Sequence, residues 1–284
     1  MLYYYANSGH KIGLERVRRG AALLKRLASN GVETQLLVND FRAGLAAKDL
    51  GVKEYVTVET VQDIDAIAEA GNSIIIDSPE DDHGRLVKYC ADFKNVWRFA
   101  HDSSDASVHG EILLKPGCKN DDCVDAVIVD DIYFEACAKE ERILFFLSDA
   151  DYDKMILSNE GFFKTLNMEL LLGNYFFVKY EDDLAKLFSI LYEAEEYADL
   201  IKSSSCIVTA SAQTALEAKV SGAKVIYLDL SNNGLYPIEL LNENGINIVK
   251  GFDTEAVTKY INEEISVTEN IIKQFNEEKI RSLL

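Results

Sequence analysis

The stretch Leu2-Tyr3-Tyr4-Tyr5-Ala6-Asn7-Ser8-Gly9-His10-Lys11-Ile12-Gly13-Leu14-Glu15-Arg16-Val17-Arg18-Arg19-Gly20 decides the fold. Its apolar, aromatic start reads as a buried strand, its middle as a loop carrying Gly9 and Gly13, and residues 14–29 take up the apolar spacing of a helix. A strand that runs into a glycine-containing loop and then a helix brings free backbone N–H groups and the positive end of a helix dipole to the carboxyl edge of a sheet. Open α/β folds bind anions there. Six basic residues, Lys11, Arg16, Arg18, Arg19, Lys25 and Arg26, gather in this segment, although the chain holds 29 basic against 48 acidic residues.

Outward from this start the pattern repeats. Strand candidates recur at 33–38, 54–58, 73–77, 95–100, 111–114 and 125–129, with helical periods at 14–29, 61–69 and 84–92. A second cycle begins near Arg142: strands at 143–147, 175–179, 206–210, 224–228 and 247–249 alternate with helices at 153–172, 182–203, 214–221, 236–244 and 254–281. Alternation of this kind predicts mostly parallel sheets covered on both faces. The expected architecture is two Rossmann-like α/β domains facing across a cleft, residues 1–140 and 141–284, joined at 135–142. The final helix is long enough to return to the first domain.

Composition bounds the function. A chain of 284 residues with 48% hydrophobic content can bury two ordinary cores. Its formal charge of −19 argues against a surface that tracks nucleic-acid phosphates, which needs many Lys and Arg contacts, but leaves room for a small anion at one basic site. The sequence has no apolar run long enough to span a membrane and no signal-type start, so the expectation is a cytoplasmic protein without an integral membrane segment. Five cysteines, odd in number and without a Cys-x-x-Cys pair, predict free thiols in place of a disulfide framework or a zinc knuckle. The acidic loops 80–83 and 101–102 read as solvated, and neither a metal nor a cofactor is expected.

The sharper motif lies in the second half. Thr209-Ala210-Ser211-Ala212-Gln213-Thr214-Ala215-Leu216-Glu217 follows a predicted strand and opens a helix. Small residues at Ser211 and Ala212 let a ligand approach, and the N–H groups of Gln213 and Thr214 suit a phosphate. Glu217, one turn on, suits the hydroxyls of a ribose. Asn232 and Asn233, after the next strand, offer carboxamides that both donate to and accept from sugar hydroxyls. A nucleotide diphosphate, as in a nucleotide sugar, is the ligand this geometry predicts.

At these residues the chain resembles the GT-B nucleotide-sugar superfamily, and within it the spore-coat-polysaccharide and pseudaminic-acid-pathway group of UDP-sugar hydrolases. The group's first loop, I-G-L-G-H-x-x-R, is matched by Ile12-Gly13-Leu14-Glu15-Arg16-Val17-Arg18-Arg19. Its strands ending in Asp are matched by Ile74-Ile75-Ile76-Asp77 and Phe99-Ala100-His101-Asp102. Ser148-Asp149-Ala150-Asp151, Ala212-Gln213-Thr214-Ala215-Leu216-Glu217 and Asn232-Asn233 complete the series in order. The resemblance implies a UDP-linked sugar as ligand, with Gly13, Arg19, Ser211, Ala212, Gln213, Thr214, Glu217, Asn232 and Asn233 as binding positions and Asp77 beside the chemistry. It also implies hydrolysis or glycosyl transfer in surface-polysaccharide or nonulosonic-acid synthesis.

The match departs from the group where the chemistry is done. Arg16 stands where the hydrolases carry their histidine base, and a guanidinium cannot take a proton near neutral pH. His10 is the nearest imidazole, so the catalytic candidates are His10, Arg16 and Asp77. Ser148 and Asp149 replace the glycines of the turn that opens the second domain, which puts a carboxylate where a diphosphate is expected. Two readings follow: an enzyme that uses His10 as base, with Arg16 and Arg19 facing the leaving diphosphate, or a nucleotide-sugar-binding or assembly protein that kept the fold and lost the base.

Overall fold

A computed structural model describes residues 1–119, 123–230, 234–263 and 272–284. The chain forms two compact units. The first comprises Met1–Gly9, Arg16–Asp130 and Gln274–Leu284, and the second His10–Glu15 and Asp131–Lys273.

The first unit is built on seven parallel strands: β1 (Leu2–Ala6), β2 (Thr34–Val38), β3 (Tyr55–Thr57), β4 (Ser73–Asp77), β5 (Asn95–Phe99), β6 (Ile112–Lys115) and β7 (Cys123–Asp125), in the order β3-β2-β1-β4-β5-β6-β7. Every residue of β1 and β4 is buried, which explains their unbroken apolar runs, because a parallel strand covered on both faces has no polar side to show. Covering helices are α1 (Glu15–Ser29), α2 (Phe41–Asp49) and α3 (Arg85–Asp92). Tyr3, Tyr5, Leu37, Ile74, Ile76, Tyr89 and Phe93 share one core on this sheet. Gly20 lets α1 lie against β1: a Cβ there would stand 2.6 Å from Tyr4 Cε1, closer than any side chain tolerates.

The second unit has six parallel strands, β8 (Glu140–Phe146), β9 (Glu169–Leu171), β10 (Leu191–Tyr192), β11 (Ser204–Thr209), β12 (Lys224–Asp229) and β13 (Asn247–Lys250), ordered β10-β9-β8-β11-β12-β13. Its helices are α4 (Met155–Ser158), α5 (Glu160–Thr165), α6 (Val178–Leu184), α7 (Tyr197–Ser203), α8 (Ala212–Val220), α9 (Ile238–Glu243) and α10 (Thr254–Asn262). A phenylalanine-rich core, Phe145, Phe162, Phe163, Phe176 and Phe188 among others, packs against this sheet from β9 across to β13. Each sheet therefore reverses its strand order once, at β1/β4 and at β8/β11.

Several expectations are corrected. The predicted helix at 153–172 is two short turns followed by β9. The apolar run Met168-Glu169-Leu170-Leu171-Leu172 is ambiguous by periodicity, and pairing with β8 (Leu144 with Glu169, Phe145 with Leu170) decides it as strand. Residues 175–179 are not a strand: the Tyr175 N–H donates to the Asp149 carbonyl at 2.9 Å, and the chain turns into α6 at Val178. The helix expected at 182–203 is interrupted by β10. In the span expected as one helix at 254–281, α10 ends at Asn262, residues 264–271 lie outside the described residues, and α11 (Glu278–Arg281) is a short helix near the end.

This last segment belongs to the first unit. Arg26 Nη1 donates to the Phe275 carbonyl, Asn30 Nδ2 to Glu277 Oε1 at 3.0 Å, and Lys279 Nζ to the Cys123 carbonyl at 2.6 Å, with Ile280 fully buried. The passage from first to second unit falls at Asp130–Asp131, ahead of the predicted join at 135–142, because a single turn at Asp131–Phe134 already packs on α8. The cysteine reading is also corrected. Cys118 and Cys123 form a disulfide across the β6–β7 turn, with Cα atoms 6.0 Å apart, a pairing that a search for Cys-x-x-Cys overlooks. Cys90, Cys137 and Cys206 are free thiols. Among the described residues no helix is long and apolar enough to cross a membrane.

The loop between β5 and β6 is latched by charge. Arg98 donates to both carboxylate oxygens of Asp105, at 2.5 and 3.0 Å, and to Glu111 at 3.2 Å. Burial disfavours the Asp105 carboxylate, but the bonds from Arg98 and from the His101 N–H outweigh it and hold the carboxyl down at about 2. A depressed folded value adds stability above the unfolded carboxylate range and withdraws it as pH falls through that range toward 2. With solvent screening part of the pair, wild-type protein should lose about 1 to 2 kcal/mol from this group between about pH 5 and pH 2. In thermal melts, Asp105→Asn should show a shallower acid decline than wild type, and an identical decline would contradict the latch.

Candidate functional site

In the first unit the reversal point is closed by one buried carboxylate. Asp77 ends β4, is 1% exposed, and accepts from Arg19 Nε at 2.6 Å and Arg19 Nη2 at 2.5 Å. Tyr4 donates its hydroxyl to Asp77 Oδ2 at 2.6 Å, and Arg16 Nε lies 3.4 Å from Oδ1. Arg19 also lays its guanidinium 3.6 Å above the Phe99 ring. The sequence placed Asp77, Arg16 and Arg19 at the chemistry, and the structure does bring them together. It joins them, however, as an ion-pair cluster in which the carboxylate is saturated with donors and both arginines are held by it. That arrangement suits Asp77 to anchoring α1 on β4, not to moving protons. Beside it, the buried side chain of Asn7, just past β1, keeps its Oδ1 without a hydrogen-bond partner.

In the second unit the reversal point is the start of α8. Ser211 is the N-cap: its Oγ accepts from the Thr214 N–H at 3.1 Å and from Thr214 Oγ1 at 2.8 Å, and its own N–H donates to Thr209 Oγ1 at 3.0 Å. Gln213 is wholly buried. Its Nε2 donates to Glu217 Oε1 at 2.8 Å, and its Oε1 accepts from the Tyr236 hydroxyl at 3.1 Å. The Tyr197 hydroxyl meets Glu217 Oε2 at 2.6 Å and Thr214 Oγ1 at 2.7 Å. Glu217 was expected to read ribose hydroxyls. The structure places its carboxylate at 2% exposure, one turn inside the helix, where it fixes the Gln213 side chain. Ala212 is buried beside it, and Asn232 and Asn233 lie outside the described residues.

The donors at this helix start are already engaged by an anion. Glu15 Oε1 accepts from Ser211 Oγ at 2.9 Å and from the Gln213 N–H at 3.0 Å. Sequence reasoning missed Glu15: an acid in the first turn of a helix looks like ordinary dipole compensation, and its partners lie 196 and 198 residues away. Burial, and then the charges of Glu15 and Asp229, push the nearby Tyr227 phenol up.

The rest of the segment 10–15 also lies on the second unit. Gly13 adopts a left-handed φ of +81° and passes Asp149, whose Cβ would be 3.9 Å from a Cβ on the glycine. Asp149 is 1% exposed and accepts from Asn174 Nδ2 at 2.9 Å. Gly173 is required here, since a Cβ would meet the Asp149 carbonyl at 2.6 Å. His10 is exposed, its ring 5.3 Å from that of Tyr152, and Lys11 Nζ stands 4.6 Å from the same ring centre. Among the described residues, no cluster of three or more His, Cys, Asp or Glu is arranged to hold a metal ion.

Two parallel sheets, each reversing once and each polar at the carboxyl edge of its reversal, settle the architecture when set beside solved structures. The fold is GT-B-like. The UDP-GlcNAc 2-epimerase of Methanocaldococcus jannaschii, solved with UDP-GlcNAc and UDP, matches with a TM-score of 0.61 at 13% identity over 100% of this chain and 99% of that one. Escherichia coli heptosyltransferase WaaC, solved with ADP, matches with a TM-score of 0.50 at 11% identity over 92% and 96% of the two chains. MurG of Acinetobacter baumannii gives 0.51 at 12% identity over 92% and 90%. No protein-family model matches the sequence, and no curated protein matches it. The GT-B-like fold is thus shown by shape at identities far below those that carry function, and the narrower likeness to the UDP-sugar hydrolase group rests on the sequence motifs.

The Asp77 cluster is directly testable. Asp77→Asn takes from Arg19, 5% exposed, the carboxylate that its guanidinium bonds through two nitrogens. Removing one partner of such a pair costs about 3 to 5 kcal/mol. Urea unfolding of the variant should show a loss of that size with an unchanged m-value, and a loss below about 1 kcal/mol would contradict the anchoring role.

Proposed function

We propose that the chain is a nucleotide-sugar-utilising protein that takes the diphosphate of a UDP-linked sugar at the start of α8. The observation that carries this reading is the pair of donors on Glu15: Ser211 Oγ and the Gln213 N–H already hold an anionic oxygen at 2.9 and 3.0 Å. Donors aimed at an anion at the first turn of a helix favour a phosphate oxygen equally well. The reading is supported by two of the solved structures of like fold, one obtained with UDP-GlcNAc and UDP and one with ADP.

As an enzyme, the protein would break the bond between the anomeric carbon and the diphosphate oxygen. The electron pair of that bond leaves with the nucleoside diphosphate, and the α8 donors stabilise the charge that develops there. Water attacks the anomeric carbon in a hydrolase, an acceptor hydroxyl in a transferase, and either nucleophile must pass its proton to a base. The imidazole we assign to accept that proton is His10, which is exposed and rests on Tyr152 within the second unit. Hydrolysis within surface-polysaccharide or nonulosonic-acid synthesis is the form the sequence motifs favour. A second reading, a nucleotide-sugar-binding or assembly protein without catalysis, is favoured by Arg16, which stands at the hydrolases' histidine position and lies on Asp77.

Thermal melts with UDP, UDP-GlcNAc and ADP, followed by assay of UDP release, test both. A ligand at 100 times its Kd adds about 2.7 kcal/mol, which should raise Tm by several degrees. If the protein is an enzyme, His10→Asn should lower UDP release by about 10² or more. Binding with no release by wild type excludes the hydrolase and leaves the transferase and the binding protein, and no shift with any nucleotide would overturn the diphosphate site.

A further inference from the structure

We propose that Glu15 is a built-in anion that occupies the phosphate position at the start of α8, so that a nucleotide diphosphate binds only by exchanging with it. The inference rests on the nucleotide reading above and adds to it a residue that sets how tightly the ligand is held.

The geometry around the two donors supports exchange over permanent structural use. Glu15 is the first residue of α1 and half-buried, with its carboxylate on donors that are themselves fixed from behind. Ser211 Oγ is held by Thr214, and the Gln213 side chain by Glu217 and Tyr236 at 2.8 and 3.1 Å. The donors therefore keep their positions whether or not Glu15 is present. A single carboxylate oxygen, Oε1, takes both bonds. One phosphate oxygen presents the same acceptor, with a second negative group beside it.

Glu15 and the diphosphate repel each other and compete for the same donors, so they cannot share the site. A tethered carboxylate competes at an effective concentration in the millimolar range, without any change in the fold. If the site is free of Glu15 in about one molecule in ten, the apparent Kd for UDP is about tenfold weaker than the intrinsic one. Leu14 beside it is buried and holds the backbone, but Glu15 itself is half-buried, so its side chain can swing off the donors by rotation about its own bonds. The motif quoted for the resembling group has a glycine where this chain has Glu15. In this chain the position carries charge that the ligand must displace.

The test uses full-length wild type, Glu15→Gln, which keeps size and loses charge, and Glu15→Ala, which vacates the site. UDP binding is measured by calorimetry. Binding of inorganic pyrophosphate is followed by the Gln213 backbone amide resonance in labelled protein. Both variants should bind UDP more tightly than wild type, Glu15→Ala by roughly tenfold. Pyrophosphate should shift the Gln213 amide at lower concentration in both variants than in wild type. Equal or weaker binding of both probes by the variants overturns the proposal. If pyrophosphate behaves as expected while no UDP binds to any of the three proteins, the exchange stands and the nucleotide reading fails. If UDP binds all three proteins equally, the nucleotide reading stands and the exchange fails.

Discussion

A parallel sheet that reverses its strand order leaves, at the reversal, two neighbouring strands whose following segments diverge, and between them backbone groups and polar side chains that no strand covers. Both units of this protein are organised by the need to fill that gap. In the first, β1 and β4 part company and the gap is filled by Asp77 with Arg19, Arg16 and Tyr4. In the second, β8 and β11 part company and the gap is filled by the capped start of α8 with Glu15 on its donors. The same topological constraint thus yields a buried cation–carboxylate cluster in one sheet and an anion held by a helix start in the other.

The two fillings differ in what they permit. Arg19 and Asp77 are 5% and 1% exposed and bond through a parallel fork, an arrangement that a ligand would have to dismantle at the cost of leaving a buried charge unpaired. Glu15 is half-buried and bonds to a neutral hydroxyl and a backbone N–H through one oxygen. Its departure leaves behind groups that water or phosphate can satisfy. The proposed exchange therefore falls in the second unit, although the sequence concentrates its arginines in the first.

Central strands were legible because burial on both faces leaves a continuous apolar signature: β1, β4 and β12 carry the bounds, or nearly the bounds, read from Leu2-Tyr3-Tyr4-Tyr5-Ala6, Ser73-Ile74-Ile75-Ile76-Asp77 and Lys224-Val225-Ile226-Tyr227-Leu228. The edge of the second sheet was not. β9 and β10 are three and two residues long, and their apolar runs fit a helix as well as a strand until pairing decides, β9 with β8 and β10 with β9. The start of α8 was visible as a small-residue turn with Ser211 as cap. The inward turn of Glu217 was not, because its partners Tyr197 and Gln213 come together only in the packed unit. Glu15 was hidden for the same reason: nothing local to residue 15 marks a contact with Ser211.

The central claim is that the start of α8 is an anion site whose resident carboxylate yields to a nucleotide diphosphate. The most direct measurement is a crystal structure of the wild-type protein grown with saturating UDP. The account predicts a diphosphate oxygen within hydrogen-bond distance of Ser211 Oγ and the Gln213 N–H, with the Glu15 carboxylate moved off both donors and Glu217 still on Gln213. UDP bound elsewhere, with Glu15 still on Ser211 and Gln213, would contradict it.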